Sequence, residues 1–129
     1  MSDSIINEFL IKHKLPEEYK KNIHDWFSPV AEKIVSKKKQ SERPLIIGVN
    51  GAQGSGKSTL SDLLETLFIE EYELNAVTLS IDDFYYTRQE RLDLSESIHP
   101  LLATRGVPGT HDVPLALDCL HGLLRGDVV

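Results

Sequence analysis

The chain is poor in thiols and in unbroken apolar sequence. Cys119 is the single cysteine among 129 residues. An intramolecular disulfide is therefore excluded, and a lone thiol fits a reducing compartment. No apolar run approaches the roughly 20 residues that a membrane-spanning helix needs. Nothing at the N-terminus reads as a signal peptide. These absences lead us to expect a cytoplasmic protein without a membrane partner. Basic residues are outnumbered, with 14 Lys and Arg against 20 Asp and Glu, for a formal net charge of −6. That balance argues against a nucleic-acid partner and offers no cationic surface to anionic lipid. There is no internal repeat and no low-complexity stretch. His13, His24, His99 and His121 show no metal-ligand spacing. The remaining composition, 40% hydrophobic and 26% charged, is ordinary for a soluble globular protein. The length suffices for one domain with a real core.

What is present centres on Gly51-Ala52-Gln53-Gly54-Ser55-Gly56-Lys57-Ser58, which matches G-x-x-x-x-G-K-[ST] without a gap. An apolar run, Leu45–Val49, precedes it and a helical pattern follows. Glycines let backbone N–H groups curl around phosphate oxygens, because no Cβ blocks the approach. A helix beginning at about Lys57 presents unpaired N–H groups and a positive dipole end to the same charges. Lys57 can reach β- and γ-phosphates and Ser58 Oγ can ligate Mg²⁺. With Thr59, residues 51–59 form the expected nucleotide-binding stretch. A plain Gly-rich turn would need neither the lysine nor the serine.

Upstream, residues 1–14 predict a short helix with Ile5, Ile6, Phe9 and Leu10 on one side. Pro16 suits the first turn of a second helix. Its stripe is Tyr19, Ile23, Trp26, Phe27, Val30 and Ile34, with Trp26 and Phe27 expected in the core. Ser28-Pro29 either divides it into two helices, with Ser28 as a cap, or kinks one. Residues 36–44 read as a polar connector whose lysines suit a helix's negative end. The expected division is a helical segment and linker over 1–43, then a phosphate-loop core over 44–129.

Leu45–Val49 is expected as a strand buried on both faces. Leu60, Leu63, Leu64, Leu67 and Phe68 give the next helix one apolar stripe. After a turn near Asn75, Ala76–Ile81 is a second expected strand, with Val77, Leu79 and Ile81 on one face. Strand, helix, strand makes a right-handed βαβ unit with parallel strands. Residues 87–104 look irregular, with short helical pieces, and Arg105–Asp112 is a Gly/Pro-rich loop. Asp112 should cap a last helix over 113–125, with Gly126 after it and a possible third strand starting at Asp127. Doubly wound nucleotide-binding sheets usually carry about five strands. The expected fold is thus an α/β, three-layer α/β/α phosphate-loop NTPase with a parallel sheet, truncated after about two to three strands. It is either an unusually small relative or the N-terminal part of a longer protein.

Asp82 and Asp83 follow the second expected strand, where open α/β sheets bind ligands. One carboxylate could accept a proton from an attacking hydroxyl, one could hold Mg²⁺, or both could start a solvated loop.

Three stretches together, Ile46–Leu60, Leu79–Thr87 and His99–Leu117, resemble the D-glycerate 3-kinase group, which is similar to uridine kinases, phosphoribulokinases and pantothenate kinases. The block R-G-x-P-G-T-H-D is the most specific of the three. The resemblance covers roughly residues 44–125. It implies an ATP- and Mg²⁺-dependent kinase acting on a hydroxyl of a small metabolite, with D-glycerate the first candidate. It implies that Lys57 and Ser58 hold phosphates and metal, that Asp82 is the catalytic base, and that Asp83 is a metal or metal-water ligand near the substrate. Arg105 lies where such kinases place a cation to grip the acceptor, and a guanidinium suits a carboxylate. His111 either lines the acceptor pocket or shapes the loop, and Tyr85 either reaches the pocket or packs. Members of the group run on well past this length. The alternatives are a kinase of the same fold with a nucleoside, pantothenate-like or sugar acceptor, or a non-catalytic nucleotide-binding fragment. A regulatory GTPase is disfavoured, since neither a D-x-x-G switch nor an N-K-x-D block is found.

Overall fold

A computed structural model describes residues 3–127 of the chain. In α1 (Asp3–His13), Ile6, Phe9 and Leu10 recur on one face and are buried. A one-residue left-handed step at Lys14, φ 52°, ends the helix and lets Leu15 N–H donate to Leu10 O at 2.9 Å. The next helical stretch runs through α2 (Tyr19–Asn22), a π turn (Ile23–Phe27) and α3 (Ser28–Lys39) without leaving helical dihedrals. Pro29 brings no N–H to that ladder, and the Ser28 N–H reaches back to Ile23 O, a π-type step. Of the two sequence readings, one interrupted helix is the one formed, and Ser28 makes no side-chain cap.

That π turn carries a correction. One extra residue in a turn advances the apolar face by one position. Ile23, Ala31 and Val35 are buried, and Phe27 packs beside them with its ring 5.9 Å from that of Tyr19. Trp26, expected in the core, is 68% exposed, and Val30 is exposed with it. The lysines expected in a connector belong to the last turn of α3, where their charge meets the helix's negative end. Lys38 Nζ donates to Ser41 O at 3.0 Å there.

In α4 (Lys57–Glu70) the apolar stripe is as expected. Leu63, Leu64 and Leu67 are buried, and Leu60 and Phe68 pack against them. With Ile6, Phe9, Leu10, Ile23 and Ala31 they make one core, each large side chain contributing about 1.5–3 kcal/mol on burial. Asp62, on the polar side, ties α4 to α1. It accepts from Lys12 Nζ at 2.9 and 2.7 Å and pairs with His13 Nε2. Partial burial pushes its carboxyl up, but hydrogen bonds and charge from Lys12 and His13 outweigh that and hold it below the usual range. The turn after α4 comes at Glu73, φ 51°, two residues before Asn75.

The chain divides after Thr78 into two compact units. In the second, Ser80 caps a 3-10 turn (Ile81–Phe84). α5 (Arg88–Ser97) is one continuous helix in the stretch expected to hold only short helical pieces. A capping box starts it, with Glu90 N–H donating to Thr87 Oγ1 and Thr87 N–H to Glu90 Oε2. Bonds from the Thr87 hydroxyl and N–H hold the Glu90 carboxyl below its ordinary value. A second 3-10 turn (Pro100–Ala103) follows, capped by His99 Nδ1. Asp112 caps α6 (Val113–Arg125), accepting from Leu115 N–H at 3.0 Å, and Gly126 at φ 83° ends it, all as expected.

No β-strand forms among the described residues. The parallel pair, the βαβ unit and the layered sheet expected around Leu45–Val49 and Ala76–Ile81 are absent there, and Ile81 opens the 3-10 turn instead. The physical reason is cover. Parallel strands are stable when both faces are packed, and an isolated two-stranded pair is marginal. Here Ile46, Ile47, Val77 and Ile81 are exposed, Ile81 at 76%. An antiparallel bridge joins Tyr85 and His111. The possible third strand, but for Asp127, lies outside the described residues. No helix among the described residues is long and apolar enough to cross a membrane.

Candidate functional site

The glycine-rich stretch enters α4 through two left-handed residues, Gly54 at φ 76° and Gly56 at φ 90°. A side chain is disfavoured at both. Gly51 is glycine for a different reason: a Cβ there would lie 2.7 Å from Ser55 Oγ and 3.4 Å from Lys57 Cγ. Ser55 N–H closes the turn onto Ala52 O at 3.1 Å. The Lys57 side chain then folds back over the loop, and Nζ donates to Gly51 O and Ala52 O at 2.8 Å each. Two neutral carbonyls hold the ammonium without cancelling its charge. The N–H groups of Lys57, Ser58 and Thr59 open α4 and precede any carbonyl that the helix can offer them. This donor set fits phosphate: a tethered cation, first-turn amides at a positive dipole end, and no side chain at the loop's closest approach. Gln53 and Ser58 are exposed. The Ser58 hydroxyl makes no hydrogen bond among the described residues, which leaves it free for a cation.

In the second unit the paired aspartates are held unequally. Asp83 is committed to the backbone, since its Oδ2 accepts from Ser80 N–H at 2.9 Å. The Asp82 N–H donates to Ser80 Oγ at 3.2 Å, but its exposed carboxylate takes no hydrogen bond from the described residues. Next, the Tyr85–His111 bridge is flanked by Tyr86 N–H to Thr110 O at 2.9 Å and Asp112 N–H to Phe84 O at 2.7 Å. It stacks the two rings with centroids 3.9 Å apart and planes 26° from parallel. The Arg105 guanidinium carbon lies 5.3 Å from the Tyr85 ring centre, a cation–π distance. His111 Nε2 is buried and has no hydrogen-bond partner among the described residues. Tyr85, Arg105 and His111, spread along the sequence, are thus brought together. A guanidinium with an unpaired imidazole nitrogen is suited to an anionic or hydroxyl-bearing small molecule.

Sequence reasoning missed Arg91 and Thr110. Thr110 is fully buried, its hydroxyl donating to Val107 O at 2.6 Å. Arg91 is also buried. Its Nη1 donates to Tyr86 O at 2.6 Å and its Nε to Ala103 O at 3.3 Å. The signal that could have found α5 was the Thr87-x-x-Glu90 capping box, but nothing in the sequence singles out Arg91 within it. A shallow hollow of about 310 Å³ beside α5 is lined by Tyr86, Glu90, Asp93, Leu94 and Ser97. Its two carboxylates make it a poor place for a phosphate or carboxylate.

Comparison with known proteins agrees with the loop. The chain is 40% identical over 97 residues to an uncharacterized kinase of Schizosaccharomyces pombe, covering 73% of this chain and 35% of that protein. It is 38% identical over 84 residues to the chloroplastic D-glycerate 3-kinase of Arabidopsis thaliana, covering 64% and 18%. A pantothenate kinase of Streptococcus thermophilus is 33% identical over 94 residues, covering 72% and 29%. These relatives bear out the resemblance to the glycerate kinase group. The chain spans about a third or less of their length. No solved structure gives a significant match. Residues 26–106 match the KAP family P-loop domain, and the chain belongs to that family of P-loop proteins.

Proposed function

We propose that residues 44–129, preceded by the helical segment 1–43, form the phosphate-loop portion of an ATP-dependent small-molecule kinase, with D-glycerate as the acceptor. The observation that carries this reading is the Lys57 ammonium held over a side-chain-free loop at the start of α4. Residues 51–59 bind the β- and γ-phosphates, with Lys57 offsetting their charge. In the first unit Ser58 Oγ is the group that would hold Mg²⁺ beside the phosphates, and in the second unit the Asp83 carboxylate is the candidate metal ligand, directly or through water. When bound, Mg²⁺ neutralises charge on the phosphate oxygens. Asp82, whose carboxylate is uncommitted, takes the proton of the acceptor hydroxyl as that oxygen bonds to the γ-phosphorus and ADP leaves. Arg105 grips the acceptor carboxylate, and Tyr85 and His111 line its site. Glycerate, a small hydroxy acid, supplies both groups that this set would recognise.

The test is calorimetric titration of the chain with Mg·ATP, followed by ADP release with D-glycerate, pantothenate and uridine as acceptors. Saturable ATP binding with release stimulated by D-glycerate alone supports the full reading. Stimulation by pantothenate or uridine instead keeps the kinase and replaces the acceptor. No ATP binding by a folded chain overturns the reading. A second reading, a nucleotide-binding unit that does not transfer phosphate by itself, is favoured by the exposed apolar residues of 45–49 and 76–81. ATP binding without release for any acceptor would select it.

A further inference from the structure

Arg91 has an unusual environment for a cation. It is 8% exposed, it makes no ion pair among the described residues, and the two acceptors described for it are backbone carbonyls. Burying a guanidinium is costly unless its donors are used. The choice of carbonyls is informative. Tyr86 O belongs to the residue after Tyr85, and Ala103 O lies two residues before Arg105. One rigid fork therefore joins the segment that carries Tyr85 to the segment that carries Arg105. The Tyr86 backbone is held at both of its polar groups, its N–H by Thr110 O and its carbonyl by Arg91. Thr110 is in turn the neighbour of His111.

We propose that Arg91 is the positioning residue for the Tyr85–Arg105–His111 cluster. It holds two loop segments at the separation that stacks Tyr85 on His111 and keeps the Arg105 guanidinium over the Tyr85 ring. The role of that cluster as acceptor site rests on the kinase reading above, whereas the positioning role itself does not. The planar fork is the working feature, because its two N–H groups reach two carbonyls at fixed spacing. A lysine in its place keeps the charge but offers a compact ammonium on a flexible stem, without that spacing.

The test reads the stack without any need for catalysis. In the isotope-labelled chain, the imidazole C–H signals of the five histidines are recorded by NMR, and that of His111 is identified by its loss in His111→Gln. Stacking on Tyr85 displaces the His111 signal by ring current, and Tyr85→Leu abolishes the displacement. Arg91→Ala and Arg91→Lys are expected to lose most of it, while Arg88→Ala, on an exposed position of the same helix, retains it. Circular dichroism accompanies each variant. If Arg91→Ala loses its helical signal, Arg91→Lys decides alone. A folded Arg91→Lys with the full His111 displacement would overturn the fork, and a folded Arg91→Ala with it would overturn the positioning role altogether. Failure of the chain to bind ATP or an acceptor leaves this readout untouched, so the two readings fail separately.

Discussion

The Lys57 ammonium donates to the Gly51 carbonyl oxygen at 2.8 Å, across a separation of six residues. With the matching bond to Ala52 O, the lysine is fixed over the loop by two neutral acceptors. A cation bound only by neutral acceptors is ready to attract a polyphosphate. Lys57→Ala should therefore abolish measurable Mg·ATP binding by calorimetry, since charge-assisted hydrogen bonds contribute about 1.5–3 kcal/mol each. The variant should keep its helical circular dichroism, because the two acceptors described for the ammonium, Gly51 O and Ala52 O, belong to the loop and not to a helix. Unchanged ATP affinity would remove Lys57 from the site.

Gly56 stands at the N-terminus of α4 with φ 90°, and a Cβ added to it would meet nothing within 4 Å. An alanine there has open space around its methyl group, yet that Cβ strains the left-handed backbone by about 1–2 kcal/mol. Gly56→Ala should lower the thermal midpoint and weaken ATP binding together, because the same dihedral aims the first-turn amides. Gly48→Ala, at a position with open space and no left-handed φ, should do neither.

How much of this is legible in the sequence varies with the range of the interactions concerned. The phosphate loop, the α4 stripe and the Asp112 cap are local, and sequence spacing sets them. Trp26 departs from its expected place because the π turn at Ile23–Phe27, with Pro29 just beyond, moves the buried face by one residue. The strands expected at 45–49 and 76–81 rest on an unbroken apolar run and on the alternation of Val77, Leu79 and Ile81, patterns that do not say what covers them. Apolar content requires cover, and the exposed Ile46 and Val77 have none here. The Tyr85–His111–Arg105 cluster depends on contacts across the second unit, so its members can be nominated singly but not assembled. Arg91 cannot be nominated, because a buried arginine in a polar helix looks like any exposed one until its partners are known.

Asp62 links the two ends of the first unit's core through Lys12 and His13. Its carboxyl titrates below the ordinary range in the folded chain. A lowered folded-state value means that the stabilisation is present above the unfolded value of about 3.9 and fades as pH falls through the folded one. The pair is partly solvated, so the effect is about 0.5–1 kcal/mol. Asp62→Asn should therefore lower the urea midpoint at neutral pH, and the gap to the parent chain should narrow as the pH falls through the folded-state value of Asp62. A gap that persists in acid would assign the loss to packing.

The two aspartates after Ser80 offer the sharpest separation of structure from chemistry. Asp83 Oδ2 accepts from Ser80 N–H, so Asp83→Asn weakens a capping box whose loss costs about 1 kcal/mol. The effect should show as faster amide exchange over residues 80–84. Asp82 lends only its N–H to that box, and its carboxylate holds nothing in place. Asp82→Asn should leave exchange, stability and ATP affinity unchanged while reducing acceptor-stimulated ADP release at least about 100-fold in a preparation that shows it, the range expected when a positioned general base is removed. Release at the parent rate would return the proton to solvent and leave Asp82 as part of the turn.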